Sequence, residues 1–551
     1  MLTGPEYQEL LELRRLVQEQ EQKIEQQSHQ LRQQQAQIEN LTQALLHARK
    51  KLFGPSTEVT QTEGQMSLFG QEELLHSLRQ GQEEIVITEH KRKARQPGVR
   101  AEMIAALPVE VERCIVDPKE QCPVCKSPLI KVGEKSVRTE VIFQPAQLKV
   151  RQYIQEVYKC SQCGKEGSEH PADVFVGGKV PVSLLPHSLA SASLVAGILY
   201  KKYDMGIPLA RQERDWYRLG LCLYRSTMAN WVIRCSEEYL LPIYERIHQE
   251  LLGCGILHGD ETRIQCNREP GKKASSESFM WVIRSGREEA VQAVFFHYAR
   301  SRARKEAEKL YRGFQGYLVT DAYTGYDSLD GICRALCWSH VRRYYIDSIP
   351  LDSRGKEISG SKGAEGREWC DRLFQIEKKL KALPSEKRLQ KRQELSRPVL
   401  EGFWAWVEET SAKYTANESL KTALTYTTNQ RKYLETFLED GRIPISNNDC
   451  ETSIRPFATG RKAWLFADSP AGARASGIVY TLVETAKLNH LDVFGYLCYL
   501  LESLPDLDHR NHPELLEAYL PWSETLPESC RLREHRTKKK CMFPESAAFW
   551  Q

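Results

Sequence analysis

Four cysteines fall in two C-x2-C pairs, Cys122-Pro-Val-Cys125 and Cys160-Ser-Gln-Cys163, with residues 126–159 between them. Two intervening residues let both sulfurs of a pair converge on one ion, so each pair can supply one edge of a tetrahedron. Pro123 inside the first pair and Gly164 after the second suit knuckle-like turns. Four thiolates leave no open position for a substrate, which points to a structural Zn²⁺. The gap is longer than in most zinc ribbons, but intervening strands can close it as a hairpin. The alternative is four unrelated buried cysteines. Cys337 and His340 form a C-x2-H pair that is open to two readings, a metal-ligand pair or the packed start of a helix.

Three acids form a second constellation. Asp260 sits in a strand-like segment where Ile256, Asp260, Thr262 and Ile264 share one face by period two. Glu261 points the other way, so Asp260 is the better candidate to join a shared site. Asp321 ends the apolar run Tyr317-Leu318-Val319-Thr320. Ser446, Asn447 and Asn448 are good helix starters, and on the helix they open Asn447, Glu451 and Arg455 share a face. Asp449 lies off that stripe, and Pro456 is expected to break or kink the helix. Two strand carboxylates and one helix carboxylate are what two-metal phosphoryl transfer needs. Hard oxygen ligands hold two Mg²⁺ (or Mn²⁺) ions about 4 Å apart. One ion activates water or a 3′-hydroxyl, and the other steadies the leaving oxygen. Each acid alone is as well explained by a loop, a cap or a solvated face.

The surrounding elements follow from pattern. Leu10, Val17, Ile24, Leu31, Ile38 and Leu45 recur every seven residues. Their partner positions, Leu13, Gln20, Gln27, Gln34 and Leu41, are apolar only at the ends. This predicts a coiled coil over residues 1–50 with a polar middle, self-associating in its simplest form. The alternatives are a solvated helix and a Gln-rich disordered tract. A linker follows over 51–107, with the basic cluster Lys91, Arg92, Lys93, Arg95 and Arg100 suited to a solvated tail or to DNA phosphates. Residues 108–178 turn β-rich around the cysteine pairs. Over 179–252 a helix-turn-helix-like pattern places a first helix near Leu209–Leu219 and Gly220 in the turn. A second helix starts near Arg225, capped by Ser226 or Thr227. Arg225, Asn230 and Arg234 would then face DNA; the alternative is a plain helical hairpin. Strands dominate 254–345, helices 346–445, and a helical region with a basic tail closes the chain over 501–551.

Composition narrows the class. The 551 residues suffice for several domains, and 41% hydrophobic with 27% charged residues excludes wholesale disorder. The balance of 77 basic and 73 acidic residues leaves +4, so only local clusters can identify a partner. The longest nearly apolar stretch, Leu189–Tyr200, is too short for a bilayer span of about 20 residues, and no secretory signal is apparent. A cytoplasmic protein with reduced thiols and no membrane partner is therefore expected.

Several long motifs resemble the insertion-sequence-66 family of bacterial transposases. They are KKLFGPSTE, HGDETRIQ, REPGKKASSESFMWV, GYLVTDAYTGYDSL, CWSHVRRYY and SNNDCETSIRPFATGRKAWLFADSPAGARASGIVYTLVETAK. The likeness runs in order over nearly the whole chain. It implies a ribonuclease-H-like α/β catalytic domain over 253–500, with a helical insertion at 346–445 and a DDE triad at Asp260, Asp321 and Glu451. It also implies binding to terminal inverted repeats and target DNA, metal-dependent cleavage and strand transfer, association with the nucleoid, and accessory proteins of the same element. The family commonly has a basic residue and an alanine before the glutamate and a basic residue after it. Asp449, Cys450 and Thr452 stand there instead, which weakens the case for DNA contacts from that helix. Arg455, Arg461, Lys462 and Arg474 remain as candidates for holding DNA. The expected whole is a multidomain α/β protein, from N-terminal coiled coil to C-terminal helices. A decayed or domesticated transposase that binds DNA without cutting it fits the same residues, as does a structure-specific nuclease. A coiled-coil scaffold would need neither zinc nor the carboxylates.

Overall fold

The heptad-bearing N-terminus forms one continuous helix, α1 (Gly4–Phe53). This is a computed structural model, and it describes residues 4–53, 148–159, 175–177, 180–327, 329–413 and 417–532. The chain divides into two units, residues 1–56 with 153–531 and residues 57–152 with 532–551. Every element described here belongs to the first. The seam residues Val17, Ile24, Leu31, Ile38 and Leu45 are 54–72% exposed. The end of α1 is instead held by polar contacts. Gln43 donates to the Leu351 carbonyl at 3.2 Å and accepts from the Leu351 N–H at 2.8 Å. A ring nitrogen of His47 lies 2.9 Å from the Ile349 carbonyl, and Lys50 pairs with Glu357 at 2.9 Å.

Strands β1 (Val157–Lys159) and β2 (Phe175–Gly177) pair antiparallel. The alternating run that ends at Cys160 therefore pairs only at its close among the described residues. The four paired cysteines, the basic cluster and the basic tail lie outside the described residues.

Helix α2 (Ala192–Leu199) starts at Ser191, whose hydroxyl caps the Leu194 N–H. Helices α3 (Leu209–Arg218) and α4 (Arg225–Cys235) form the expected pair. Gly220 adopts φ +90° in the turn, a conformation that favours glycine. Trp216, Met228 and Trp231 are buried and pack the hairpin. Helix α4 starts at Arg225 as expected, but its cap is Tyr224, with no side-chain hydrogen bond, and Ser226 and Thr227 fall inside its first turn. Helix α5 (Leu241–Leu252) leads into the sheet.

The main sheet contains β3 (Ile256–Gln265), β4 (Glu277–Ser285), β5 (Val294–Ala299), β6 (Gly316–Thr320) and β7 (Ile332–Leu336), with α6 (Arg304–Leu310) between β5 and β6. Its order is β5-β4-β3-β6-β7. The first three strands are antiparallel, and β3, β6 and β7 run parallel. Strands such as FMWVI and VFF are apolar without alternation because both faces are covered. Helix α7 (Trp338–Ser348) follows β7 directly.

Residues 346–445 are helical, as expected. Helices α8 (Lys362–Leu380), α9 (Ser385–Ala412) and α10 (Glu418–Leu434) share a separate core with α7. Trp338, Tyr345, Leu373 and Phe403 lie at its centre. Arg392, 1% exposed, is held inside it by a two-pronged pair with Glu377 and by the Phe437 and Asp440 carbonyls.

Helix α11 (Asn448–Trp464) continues through Pro456 rather than breaking there. Helix α12 (Pro470–Leu488) covers the outer strand. Thr481 accepts from the Phe296 N–H at 2.9 Å, and Thr485 bonds both backbone groups of Val294. These threonines satisfy the unpaired edge of β5, which would otherwise be free to pair with another chain. Helix α13 (Val493–Ser503) is the last α-helix among the described residues. Beyond it the chain forms short 3-10 helices at 504–506, 513–519 and 528–530 rather than further α-helix. Leu516, Leu520 and Leu526 still bury, and Pro513, Pro521 and Pro527, before, among and after them, break any longer helix. Among the described residues no helix is long and apolar enough to cross a membrane.

Candidate functional site

The parallel strands β3 and β6 pair Ile256 with Tyr317 and His258 with Val319. Continuing that register by two sets Asp260 opposite Asp321, where β6 has just ended and the two chains separate. A crevice at the carboxyl ends of parallel strands is a favoured place for ligands. Glycine before Asp260 is required, because a Cβ on Gly259 would run into the buried Tyr311 hydroxyl.

Glu451 arrives from the first turn of α11. That turn is fixed by Asn447, a 1% exposed residue whose carbonyl accepts from the Cys450 and Glu451 N–H groups. Its side chain donates to the Gly259 carbonyl at 3.0 Å and meets Nδ1 of His258 at 2.9 Å. Its backbone N–H donates to Sγ of Cys337 at 3.1 Å. Asn447 thereby ties the helix of Glu451 to the strand of Asp260 and to the start of α7. Farther along the same turn, Asp449 is gripped by Arg287 at 2.5 and 2.6 Å, and its carbonyl accepts from Arg284 at 2.6 Å. Asp449 stays well ionised despite its burial, because Arg287 and the neighbouring cationic groups hold its proton affinity down.

Burial raises the Asp260 carboxyl to about 8, and the charges of Glu261, Asp321 and Glu451 add to the rise. The three predicted acids are thus brought into one electrostatic neighbourhood. Oε1 of Glu451 is buried and has no hydrogen-bond partner among the described residues. A half-buried cluster of carboxylates with an unsatisfied oxygen is a donor set that fits a divalent cation.

Sequence pattern did not single out the residues that hold these acids. Glu261, on the other face of β3, accepts from Tyr326 at 2.6 Å and is paired closely with Arg302. Burial raises its proton affinity, while Tyr326 and Arg302 oppose the rise. Arg302 also reaches Asp321 at 3.5 Å and lies over the Tyr323 ring at 3.7 Å. Arg334, 6% exposed on β7, donates to the Asp321 carbonyl at 2.6 Å, the Tyr323 carbonyl at 2.8 Å and Thr320 at 3.2 Å. An arginine in the buried run ICRAL and a histidine in ILHGD were the available signals, since charged and polar residues bury when they have partners. Nothing in the sequence marks Arg302.

The predicted DNA-contact residues are spread over several helices. Arg225 and Asn230 are exposed on α4, and the Arg225 N–H donates to Glu213 at 3.0 Å. Arg234 pairs with Glu238 at 2.9 Å and Arg474 with Glu237 at 3.4 Å, which dilutes both charges. On α11, Arg455 and Lys462 are exposed, and Arg461 lies 3.5 Å from the Thr262 hydroxyl. Cys337 and His340 do begin a helix, and with Glu451 they form a group of metal-ligating atoms within 4.8 Å of one another.

A family model described as the Transposase IS66 family matches residues 187–475, just over half of the chain. The zinc-finger binding domain of transposase IS66 matches 119–164, which contains both cysteine pairs and supports a structural zinc there. The IS66 C-terminal element matches 481–522, and the model described as Transposase C of IS166 homeodomain matches 40–111. The chain belongs to the IS66 family of transposases. Two proteins of Sinorhizobium fredii (strain NBRC 101917 / NGR234) are similar. The protein y4hP is 28% identical over 75% of each chain, and y4jD is 27% identical over 78% of this chain and 83% of its own. The Drosophila P element transposase strand transfer complex aligns with 60% of this chain and 87% of that one. Its identity is 15% and its TM-score 0.22, too low to carry an argument.

Proposed function

We propose that this chain cuts and rejoins DNA at the ends of its own insertion element through Asp260, Asp321 and Glu451. The β3–β6 register, which pairs His258 with Val319 and points Asp260 and Asp321 to the same end of the parallel strands, carries this reading. The strand order, three antiparallel strands followed by two parallel ones, supports a ribonuclease-H-like catalytic domain. The three carboxylates would hold Mg²⁺ or Mn²⁺, two ions per site. When bound, such ions lower the pKa of an attacking water or 3′-hydroxyl and stabilise the leaving oxygen. Arg302 and Arg334 keep the segment after β6 in place, and Asn447 fixes Glu451 against β3.

Arg225, Asn230, Arg234, Arg455, Arg461, Lys462 and Arg474 are the proposed DNA contacts, against terminal inverted repeats and target. Cys122, Cys125, Cys160 and Cys163 are the proposed ligands of the structural zinc. The exposed seam of α1 supports self-association through a coiled coil, which would bring two element ends together. Accessory proteins of the same element remain part of the proposal.

The test is cleavage of a duplex carrying the terminal repeat, in Mg²⁺ and in Mn²⁺. Asp260→Asn, Asp321→Asn and Glu451→Gln should each abolish nicking and leave repeat binding within about twofold. Full cleavage by one variant removes that residue from the triad. Binding without cleavage by the wild type in either metal, even with the element's neighbouring proteins added, would mean a decayed enzyme. Cleavage of branched DNA regardless of terminal sequence would favour a structure-specific nuclease.

A further inference from the structure

Glu451 has a second set of neighbours, of softer chemistry than aspartate. Cys337 ends the link from β7 and caps α7, and His340 stands in the first turn of that helix. Sγ of Cys337, a ring nitrogen of His340 and a carboxylate oxygen of Glu451 all lie within 4.8 Å of one another. The two backbones that present them are pinned together. The Trp338 N–H donates to the Ile445 carbonyl at 3.0 Å, and Ser339 donates to the Asn448 side chain at 3.1 Å. The Asn447 N–H donates to Sγ itself at 3.1 Å, a contact that orients the sulfur.

Sulfur, imidazole and carboxylate suit zinc, whereas Mg²⁺ takes oxygen ligands alone. Metal–ligand bonds of 2.0–2.3 Å in a tetrahedron put ligand atoms about 3.3–3.8 Å apart. Closing the remaining ångström needs side-chain rotation, with the backbones already in place. Three protein ligands leave a fourth position for water. Glu451 supplies the negative oxygen, and its Oε1 is buried without a hydrogen-bond partner among the described residues.

We propose that Cys337, His340 and Glu451 form a Zn²⁺ site that draws Glu451 away from the carboxylate pair, so that zinc inhibits the DNA chemistry. The inhibition rests on the reading of Glu451 as a triad member; the binding of zinc does not. Zinc is first counted by equilibrium dialysis of the full chain in Mg²⁺-free buffer. The wild type should hold one more zinc per chain than His340→Gln or Cys337→Ser, or bind it at least about tenfold more tightly. Co²⁺ added to protein that holds only its structural zinc equivalent should give a thiolate charge-transfer band that Cys337→Ser loses, and further Zn²⁺ should abolish it. Equal zinc content in wild type and both variants overturns the site. Should Cys337→Ser fail to fold, His340→Gln, at a half-buried helix position, decides the count alone. Cleavage in fixed Mg²⁺ is then titrated with Zn²⁺. Inhibition at a stoichiometric excess, relieved about tenfold or more in His340→Gln, is expected. Identical inhibition in both proteins overturns the competition for Glu451. Absence of cleavage from every protein would count against the transposase chemistry, and the dialysis result would still settle the site.

Discussion

Asn447 and His258 are locked to each other by a hydrogen bond of 2.9 Å that lies wholly inside the protein. The Asn447 amide nitrogen is committed to the Gly259 carbonyl, so its oxygen faces the ring and Nδ1 of His258 must carry a proton. Burial lowers the proton affinity of His258, which keeps the ring neutral and the bond intact. Asn447→Ala would leave a buried ring N–H and a buried carbonyl without partners, at a cost of about 1–3 kcal/mol. It would also free the first turn of α11 from β3. Displacing a reacting group by about 1 Å can lower a rate on the order of 100-fold. Cleavage should therefore fall by roughly that factor with repeat binding unchanged. Asn447→Asp, which keeps the bond to His258 and loses the one to Gly259, should be intermediate. Single-turnover cleavage beside urea denaturation separates the two effects, and a rate loss no larger than the loss of folded protein would refute a positioning role.

Arg302 is the counterion of Glu261, whose side chain is 1% exposed. Removing one partner of such a pair leaves a buried charge, while removing both does not. Arg302→Gln should thus destabilise by about 1–3 kcal/mol, scaled down from a fully buried pair because Arg302 is 38% exposed. The double variant Glu261→Gln/Arg302→Gln should recover part of that loss. The double-mutant cycle is read from urea midpoints, and additive effects would show that the pair is not coupled.

Much of this arrangement could be read in the sequence, for physical reasons. Asp321 follows an apolar run because a buried strand must end before a carboxylate can meet solvent. Glu451 follows a Ser-Asn-Asn start because such residues open helices. The insertion shows itself by 3-4 spacing at Trp369, Leu373, Ile376 and Leu380, of which Trp369 and Leu373 pack the second core. Arg302 and Asn447 act through contacts between segments distant in sequence, and no local pattern encodes a partner 21 or more residues away, as Tyr323 is for Arg302. Pro456 misleads in the other direction. It lies two turns into α11, where the helix tolerates the missing N–H and runs on to Trp464.

His297 sets an acid limit on stability. Burial, with the charges of His248 and Lys309, lowers it to about 4 from an ordinary value near 6.5. The unfolded chain then binds a proton that the folded one refuses. Stability from this group is complete above about pH 6.5 and is lost as the pH falls through 4. The full effect is at most about 3 kcal/mol. His297→Phe should flatten the fall in urea midpoint between pH 6.5 and 4, and an unchanged slope would show that His297 titrates normally.

The exposed seam of α1 makes a prediction of a different kind. Ile24, Leu31 and Ile38 are 59–65% exposed along one line of a helix whose far end is anchored by Gln43, His47 and Lys50. Isolated apolar side chains on a helix need no explanation, but a heptad series does, because only a supercoiled partner buries it continuously. The Gln20, Gln27 and Gln34 positions fix register and weaken the association. Ile24→Ser/Leu31→Ser/Ile38→Ser should therefore convert an oligomer to a monomer without lowering the thermal midpoint of the sheet-bearing unit, since all three side chains are mostly exposed. Light scattering gives the mass. A wild type already monomeric at micromolar concentration would reject the coiled coil, and a variant that stays oligomeric would place the association elsewhere. If two protomers must each hold one element end, the monomeric variant should still nick a single repeat and should fail to join two.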